Sequence, residues 1–539
     1  MVEKRLNELY LRISPARFHF LKFILEGYDN LAILSSYDCS AGLVVIRYPG
    51  AMAGELFDLL GAIAGSLTGS YRANEVTYME NKIFYIKTFG CQMNERDSEI
   101  MAQSLSGYGY IEGMKMDEAD LVVLNTCSIR AKAEQKVLSL LGHLRKAKLR
   151  KPAMKICVAG CVAQQEGSRL LERMPHVDLV VGTQNIYTIG ALLQDAERDG
   201  SRVVTDLRDD YAIPKFLPDI PSVAAGNAPG DCTSSSSVQF SKFVTIMQGC
   251  NNYCTYCVVP YTRGREISRK VEDIIEEIQA LVKAGAKEIT LLGQNVNSYG
   301  KANAVTANGM PYSFADLLKE VSTITGLARL RFTTSNPKDL TDPLMASFRD
   351  VKNLCPQFHL PVQSGSNRIL KRMNRKYTVE QYLEKVEKLR EYLPGIALTT
   401  DIIIGFPGES DEDFQETMNL LEKVRFHGSF SFKYSDRPGT QASRLADKVA
   451  EDVKSERLMI FQKRQDAISL ERNKEFVGSV QSVLLEECGE NGGKGRTGTN
   501  HIVHFLECCG YAAGDIVDMK IIHAGQHSLR GEPENTDEI

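Results

Sequence analysis

The 539-residue chain has no tryptophan, no net positive charge and no long uninterrupted apolar run. The formal net charge of -4 at pH 7 excludes a generally polyanion-binding surface, so any nucleic-acid contact must come from local patches. The most apolar early run, AMAGELFDLLGAIAGSLTG, is broken by Glu55 and Asp58 and reads as a buried amphipathic helix, not a membrane span. The opening MVEKRLNELYLRISPARF carries Glu3 and Glu8 and lacks an apolar core followed by small residues. It is therefore expected to be neither a secretory signal nor a mitochondrial transit peptide, and a cytoplasmic location without membrane association is expected. Otherwise the composition is ordinary, 43% hydrophobic and 24% charged, and the length suggests roughly three to four domains. What the chain does have is thirteen cysteines. Without a signal peptide these are expected to be reduced thiols, with metal or catalytic roles for any ordered subset.

Residues 1–78 read as a small α+β unit, with LYLRI and LVVIRY alternating as strands, and with Cys39 alone. Residues 82–204 repeat one pattern three times: KIFYIKTFGC ends at Cys91, ADLVVLNTC at Cys127 and AMKICVAGC at Cys161, each followed by a helical run. These are parallel βα units of a flavodoxin- or Rossmann-like α/β domain. Strand C-termini in such a sheet share one edge, so three thiols distant in sequence should converge there. The plainer alternative is three unrelated buried thiols. Cys157, mid-strand, is expected to face the packing and not to be a ligand. Residues 205–240 are rich in Pro, Ser, Gly and Asp and read as a linker containing Cys232. From 241 to 470 helices such as VEDIIEEIQALVKAGA alternate with strands such as EITLLG, LARLRFTTS and ALTTDIIIG, which predicts a complete or partial (β/α) barrel. Short strands and glycine turns over 473–530 predict a small β-barrel.

Within the third region, QGCNNYCTYCVVPYTRG places Cys250, Cys254 and Cys257 inside eight residues. A structural zinc site closes with four N or S ligands. No histidine or fourth cysteine lies near, the nearest candidates being Cys232 and Cys355. Iron–sulfur clusters are also held by thiolates, and a [4Fe–4S] cluster on three of them leaves one iron open. The glycine-containing turns LLGQN (Gly293, Gln294, Asn295) and GFPGES (Gly405, Pro407, Gly408, Glu409) follow strands, where backbone can approach a ligand or simply make a βα turn. Basic clusters occur at 145–151, at 263–270 (Arg263, Arg265) and at 367–376. Each could contact phosphates or be a solvated face.

The CxxxCxxC spacing is the radical S-adenosylmethionine signature. With TFGCQMNERDSE, NTCSIRAKAEQK, GCVAQ, HLPVQSGSNRILKRMNRKYT and TDIIIGFPGESDEDF, the chain resembles the methylthiotransferase family over about 82–530, in its tRNA-modifying MiaB branch. The resemblance implies that Cys250, Cys254 and Cys257 hold a [4Fe–4S] cluster that binds S-adenosylmethionine and generates a 5′-deoxyadenosyl radical. It implies that Cys91, Cys127 and Cys161 hold a second [4Fe–4S] cluster that supplies sulfur, which a second S-adenosylmethionine methylates. The implied product is a methylthio group on C2 of N6-isopentenyladenosine at position 37 of tRNA. It further implies that the two glycine turns, with Ser335 and Asn336, line the S-adenosylmethionine pocket. The implied partners are the tRNA anticodon stem-loop and an electron donor such as a flavodoxin or ferredoxin, and the enzyme is expected to be a monomer. The sulfur source stays open. GRTGTNHIVHF resembles a TRAM domain, an RNA-binding barrel in which Arg496 is the candidate contact. Over 473–530, however, there are five Lys/Arg against seven Asp/Glu, fewer cations than such a platform suggests. The alternatives are a methylthiotransferase acting on threonylcarbamoyladenosine or on a ribosomal-protein aspartate, or a zinc-stabilised RNA-binding protein. The first 78 residues lie outside the resemblance.

Overall fold

The computed structural model describes residues 6–12, 18, 21–22, 25, 32–38, 43–57, 59–60, 82–128, 131–208, 210–218, 240–302, 312–489, 492–508 and 510–534. Cys39, Cys232 and Cys509 lie outside the described residues, as do 219–239 of the expected linker. The chain divides into two units, Met1–Glu80 and Asn81–Ile539.

In the first unit β1 (Leu6–Arg12), β2 (Ile33–Asp38) and β3 (Leu43–Pro49) form an antiparallel sheet in the order β1-β3-β2. The central strand carries Val44, Ile46 and Tyr48 into a core with Leu21, Leu25, Leu56 and Leu60. Glu8 and Arg47 face each other in register and pair at 2.7 Å.

The second unit begins with a six-stranded parallel sheet: β4 (Lys82–Thr88), β5 (Tyr110–Glu112), β6 (Leu121–Thr126), β7 (Lys155–Gly160), β8 (Leu179–Val181) and β9 (Arg202–Val204). Their order is β5-β4-β6-β7-β8-β9. Every residue of β6 is buried, as expected for a parallel sheet covered on both faces. The strand order reverses between β4 and β6, which in open α/β sheets is where the binding crevice opens. Helices α1 (Gln92–Ser106), α2 (Ala131–Arg150) and α3 (Cys161–Glu166) follow β4, β6 and β7.

Next come parallel strands β10 (Ser241–Thr245), β13 (Glu288–Leu292) and β14 (Arg329–Thr333), then β15 (Gln357–His359), β16 (Ala397–Ile404) and β17 (Gly428–Lys433). A bridge between Leu330 and Leu354 links the two groups into the expected partial (β/α) barrel. The apolar stripe of α4 (Val271–Lys283), Ile274, Ile278 and Leu281, packs on this sheet. The first strand of this region is short. After β10 the chain forms β11 (Met247–Gln248), which pairs antiparallel with β12 (Ile267–Ser268) and closes the base of the cysteine-bearing loop.

A long helix, α5 (Glu451–Lys474), leads to a closed barrel of β18 (Val480–Gly489), β19 (Gly492–Thr497), β20 (Ile502–Phe505), β21 (Ile516–Ala524) and β22 (Leu529–Pro533). Arg329 and Arg331 anchor it by donating to the carbonyls of Arg496, Ser482, Gly498 and Thr497 at 2.7–2.8 Å. Glu288 accepts from Arg331 at 2.8 Å. Glu288 and Arg329 open their strands, so the barrel docks at the strand N-termini, the end opposite the cysteine loop. Among the described residues no helix is long and apolar enough to cross a membrane.

Candidate active site

Cys91 caps the N-terminus of α1, Cys127 follows β6 directly, and Cys161 opens α3. Their strands are neighbours, with Thr88 opposite Asn125 and Thr126 opposite Gly160, so all three thiols lie on one sheet edge at the reversal point. Gly90 makes the approach possible. At φ +139°, a Cβ there would lie 2.5 Å from Cys127 Cβ and 2.6 Å from Asn94 Oδ1. Asn94 braces the edge: its Nδ2 donates to Asn125 Oδ1 (3.0 Å) and its Oδ1 faces Cys91 Sγ (3.4 Å).

The thiols sense one another. A hydrogen bond from Cys127 lowers the Cys91 pKa to about 6, against partial desolvation and aided by the Arg263 charge and the Asn94 and Met93 backbone N–H groups. Burial raises Cys161, with Arg263 opposing. Arg263 is 3% exposed and pairs with Asp97 Oδ2 on α1 at 2.6 Å. Its Nη1 is buried without a hydrogen-bond partner among the described residues. Arg263 is therefore not the RNA contact its sequence setting suggests. It lies inside the protein, six residues beyond Cys257, against the other thiol set. Cys157 is fully buried within β7 among core side chains.

The second set lies on the loop between β11 and β12. Gly249 (φ +80°) opens it, and a Cβ there would lie 2.0 Å from the Arg265 carbonyl oxygen. The Gly249 N–H donates to Gln294 Oε1 (2.6 Å) and the Cys250 N–H to the Gly264 carbonyl (3.2 Å). Burial lifts Cys250 to about 11 and Cys257 to about 12, with the neighbouring Cys254 charge pushing both further up. Such mutual repulsion is what a cationic iron centre relieves. Cys355 is not a fourth donor: its N–H bonds Leu330, and it sits with Glu288 and Arg331 at the opposite strand ends. Among the described residues no three His, Cys, Asp or Glu side chains gather as they would around a single ion. Two sets of three thiols, neither joined by a fourth cysteine or histidine among the described residues, fit cysteine-held iron–sulfur clusters.

The expected pocket residues fall into two groups. Asn295, Ser335 and Asn336 are buried just past the C-terminal ends of β13 and β14, the end of the sheet from which the cysteine loop also leaves. Asn295 donates to Asp339 (2.8 Å), while Asn295 Oδ1, Asn297 Oδ1, Ser335 Oγ and Gln248 Nε2 are buried without partners among the described residues. A polar ligand would satisfy them. Thr334 is held at φ +71°, an outlier for a β-branched residue. Gln294 and Gly293 act inward, on Gly249 and against Met247. The GFPGES turn is engaged by the protein itself. Glu409 accepts from the Gly405 N–H and from Arg457, both at 2.9 Å; Gly408 bonds Asp447; Pro407 is buried between them. Arg265 is exposed, and Arg496 is paired with Glu486 at 2.6 Å.

A further ionic cluster was not anticipated from sequence. Arg96 on α1 and Arg269 both bind Glu277 on α4, and all three are at most 3% exposed. Arg269 also donates to the Thr245 carbonyl (3.2 Å), and Arg96 lies over Phe216 (4.4 Å). With Asp97–Arg263, it locks the α/β domain onto the barrel. The mixed charges of QMNERDSE were the available signal.

Residues 83–182 match the uncharacterized protein family UPF0004, 244–421 the radical SAM superfamily, and 11–66 a domain of unknown function, DUF4911. A tRNA-2-methylthio-N(6)-dimethylallyladenosine synthase of Desulfotalea psychrophila is 60% identical over 84% of this chain and 99% of its own. The chain belongs to the tRNA-2-methylthio-N(6)-dimethylallyladenosine synthases. A synthase of this name from Syntrophus aciditrophicus is 48% identical over 84% of the chain and 95% of its own. Among solved structures, the radical S-adenosylmethionine methyltransferase TsrM from Kitasatospora setae aligns with a TM-score of 0.47 at 13% identity, over 75% of this chain and 78% of that one. In this member of the synthase family, the two thiol sets sit on domains joined by buried ion pairs.

Proposed function

We propose that the chain transfers a methylthio group to C2 of N6-isopentenyladenosine at position 37 of tRNA, with S-adenosylmethionine as both radical source and methyl donor. One observation carries this reading: two three-thiol sets lie on domains locked together through Asp97–Arg263 and Arg96–Glu277–Arg269. Cys250, Cys254 and Cys257 would hold one [4Fe–4S] cluster, and Cys91, Cys127 and Cys161 the other. When bound, they and S-adenosylmethionine supply the radical and the sulfur that an unactivated aromatic C–H needs.

The chain's own residues arrange the site. Gln294 fixes the start of the cysteine loop, and the unpaired polar atoms of Gln248, Asn295, Asn297 and Ser335 offer donors and acceptors to S-adenosylmethionine. Asn94, Asn125 and Arg263 hold the edge of the second thiol set. Burial of these groups excludes water from the reacting centre. The tRNA anticodon stem-loop is the macromolecular substrate. The electron donor is a small redox protein of the flavodoxin or ferredoxin class, and the enzyme works as a monomer in the cytoplasm. Nucleoside mass spectrometry of tRNA from a deletion strain tests the reading. Methylthio-isopentenyladenosine should vanish and isopentenyladenosine accumulate; persistence of the methylthio nucleoside would overturn it.

A further inference from the structure

The segment NRILKRMNRK reads as an RNA-facing basic patch, yet its arginines are engaged by the protein itself. Arg368 pairs with Asp413, and Arg372 with Asp447 at 2.7 Å. Arg375 differs: among the described residues it pairs with no carboxylate. Its Nη1 lies 3.5 Å from Cys254 Sγ. Its other donors are fixed, Nη2 on the Pro361 carbonyl (2.9 Å) and Nε on the Tyr377 hydroxyl (2.8 Å), and the guanidinium stacks over the Tyr377 ring at 5.0 Å. Tyr377 is itself pinned, donating to the Val362 carbonyl at 2.8 Å. The cysteine loop is tied to the same segment. The Thr255 N–H bonds the Met373 carbonyl (3.1 Å), Thr255 Oγ1 the Arg372 carbonyl (3.0 Å), and Asn374 Nδ2 the Tyr253 carbonyl (2.9 Å). The positive charge is thus held in place against one ligand sulfur.

We propose that Arg375 is a positioning residue that raises the reduction potential of the cluster held by Cys250, Cys254 and Cys257. The inference rests on the cluster assignment above. Reduction adds negative charge to a centre already ligated by thiolates. A fixed cation donating to one ligand sulfur stabilises the reduced form more than the oxidised form, and the partial burial of the contact strengthens the effect. Arg375 thereby eases the electron transfer that precedes sulfonium cleavage.

The test is a redox titration of the full chain, loaded anaerobically with both clusters and followed by electron paramagnetic resonance. The signal perturbed by S-adenosylmethionine identifies the cluster at 250–257. In Arg375→Met, the reduced-to-oxidised ratio of that cluster at a fixed poise should fall by about tenfold, about 59 mV for a one-electron couple. Arg375→Lys, which keeps the charge but loses the aimed fork, should shift it less in the same direction, and the other cluster should not move. Iron-replete Arg375→Met with the wild-type potential, or with equal shifts at both clusters, would overturn the proposal. If Arg375→Met retains no iron, Arg375→Lys decides, and an unchanged potential there overturns it. A wild-type protein without an S-adenosylmethionine-responsive signal would remove the cluster assignment as well; an unchanged potential beside a normal signal removes only the role of Arg375.

Discussion

Arg263 and Asp97 stand 166 residues apart and meet at 2.6 Å, both buried, where the domain carrying one thiol set touches the loop carrying the other. Removing Asp97 leaves the buried Arg263 charge beside the Cys161 and Cys91 thiols without its carboxylate. Asp97→Asn is expected to cost about 3–5 kcal/mol and to lower the iron content of the Cys91–Cys127–Cys161 set. The double variant Asp97→Asn with Arg263→Met should recover part of the loss. Thermal unfolding and iron analysis of the three proteins check this, and additive losses would show that the pair is not coupled.

Glu277 is fully buried between Arg96 and Arg269. Glu277→Gln leaves two buried guanidinium groups without their shared counter-ion, so the loss should exceed that of Asp97→Asn. Limited proteolysis should then cut first at the segments joining the α/β domain to the barrel. A midpoint at least as high as that of Asp97→Asn would contradict this.

His427 and His501 face each other at 5.8 Å where the C-terminal barrel meets the (β/α) barrel. Burial lowers His427 to about 3 and His501 to about 4. Both are neutral in the folded protein, whereas the unfolded chain binds their protons below the ordinary value of about 6.5. Stability should therefore fall as pH drops through 6.5 and level off only near the folded values, by about 2 kcal/mol per histidine between pH 7 and pH 5. Denaturant midpoints at those two pH values should differ less in His501→Phe than in the wild type.

Arg496 and Lys494, the cations of β19, are paired with Glu486 and Glu487 of β18. Glu486→Gln should free Arg496, tighten tRNA binding at low salt and steepen the salt dependence by about one counterion. Filter binding across a salt series measures it; unchanged affinity and slope would place the tRNA elsewhere.

These partners explain what sequence could and could not say. The strand–turn–helix repeat was legible because three apolar runs stop at the same point, and the (β/α) alternation because parallel strands buried on both faces read as apolar runs. The interruption after Thr245 was not, since the two-residue strand β11 forms only by pairing with β12 across the cysteine loop. Arg263, Arg375 and Arg496 resembled surface cations because their neighbours in sequence are polar. Their actual partners, Asp97, Cys254 and Glu486, come from other segments that only the fold brings near. The GFPGES turn was read as a ligand contact because its glycines follow a strand; that Glu409 finds its cation on α5 was not legible, since Arg457 lies in a separate segment.

The presence of two separate three-thiol sites is tested most directly by iron counted per chain after anaerobic reconstitution. The wild type should hold about eight irons. Chains with Cys91, Cys127 and Cys161 all changed to Ala, or with Cys250, Cys254 and Cys257 all changed to Ala, should each hold about four. A wild type holding about four irons, or zinc in place of iron, would contradict it, as would either triple variant that kept the full count.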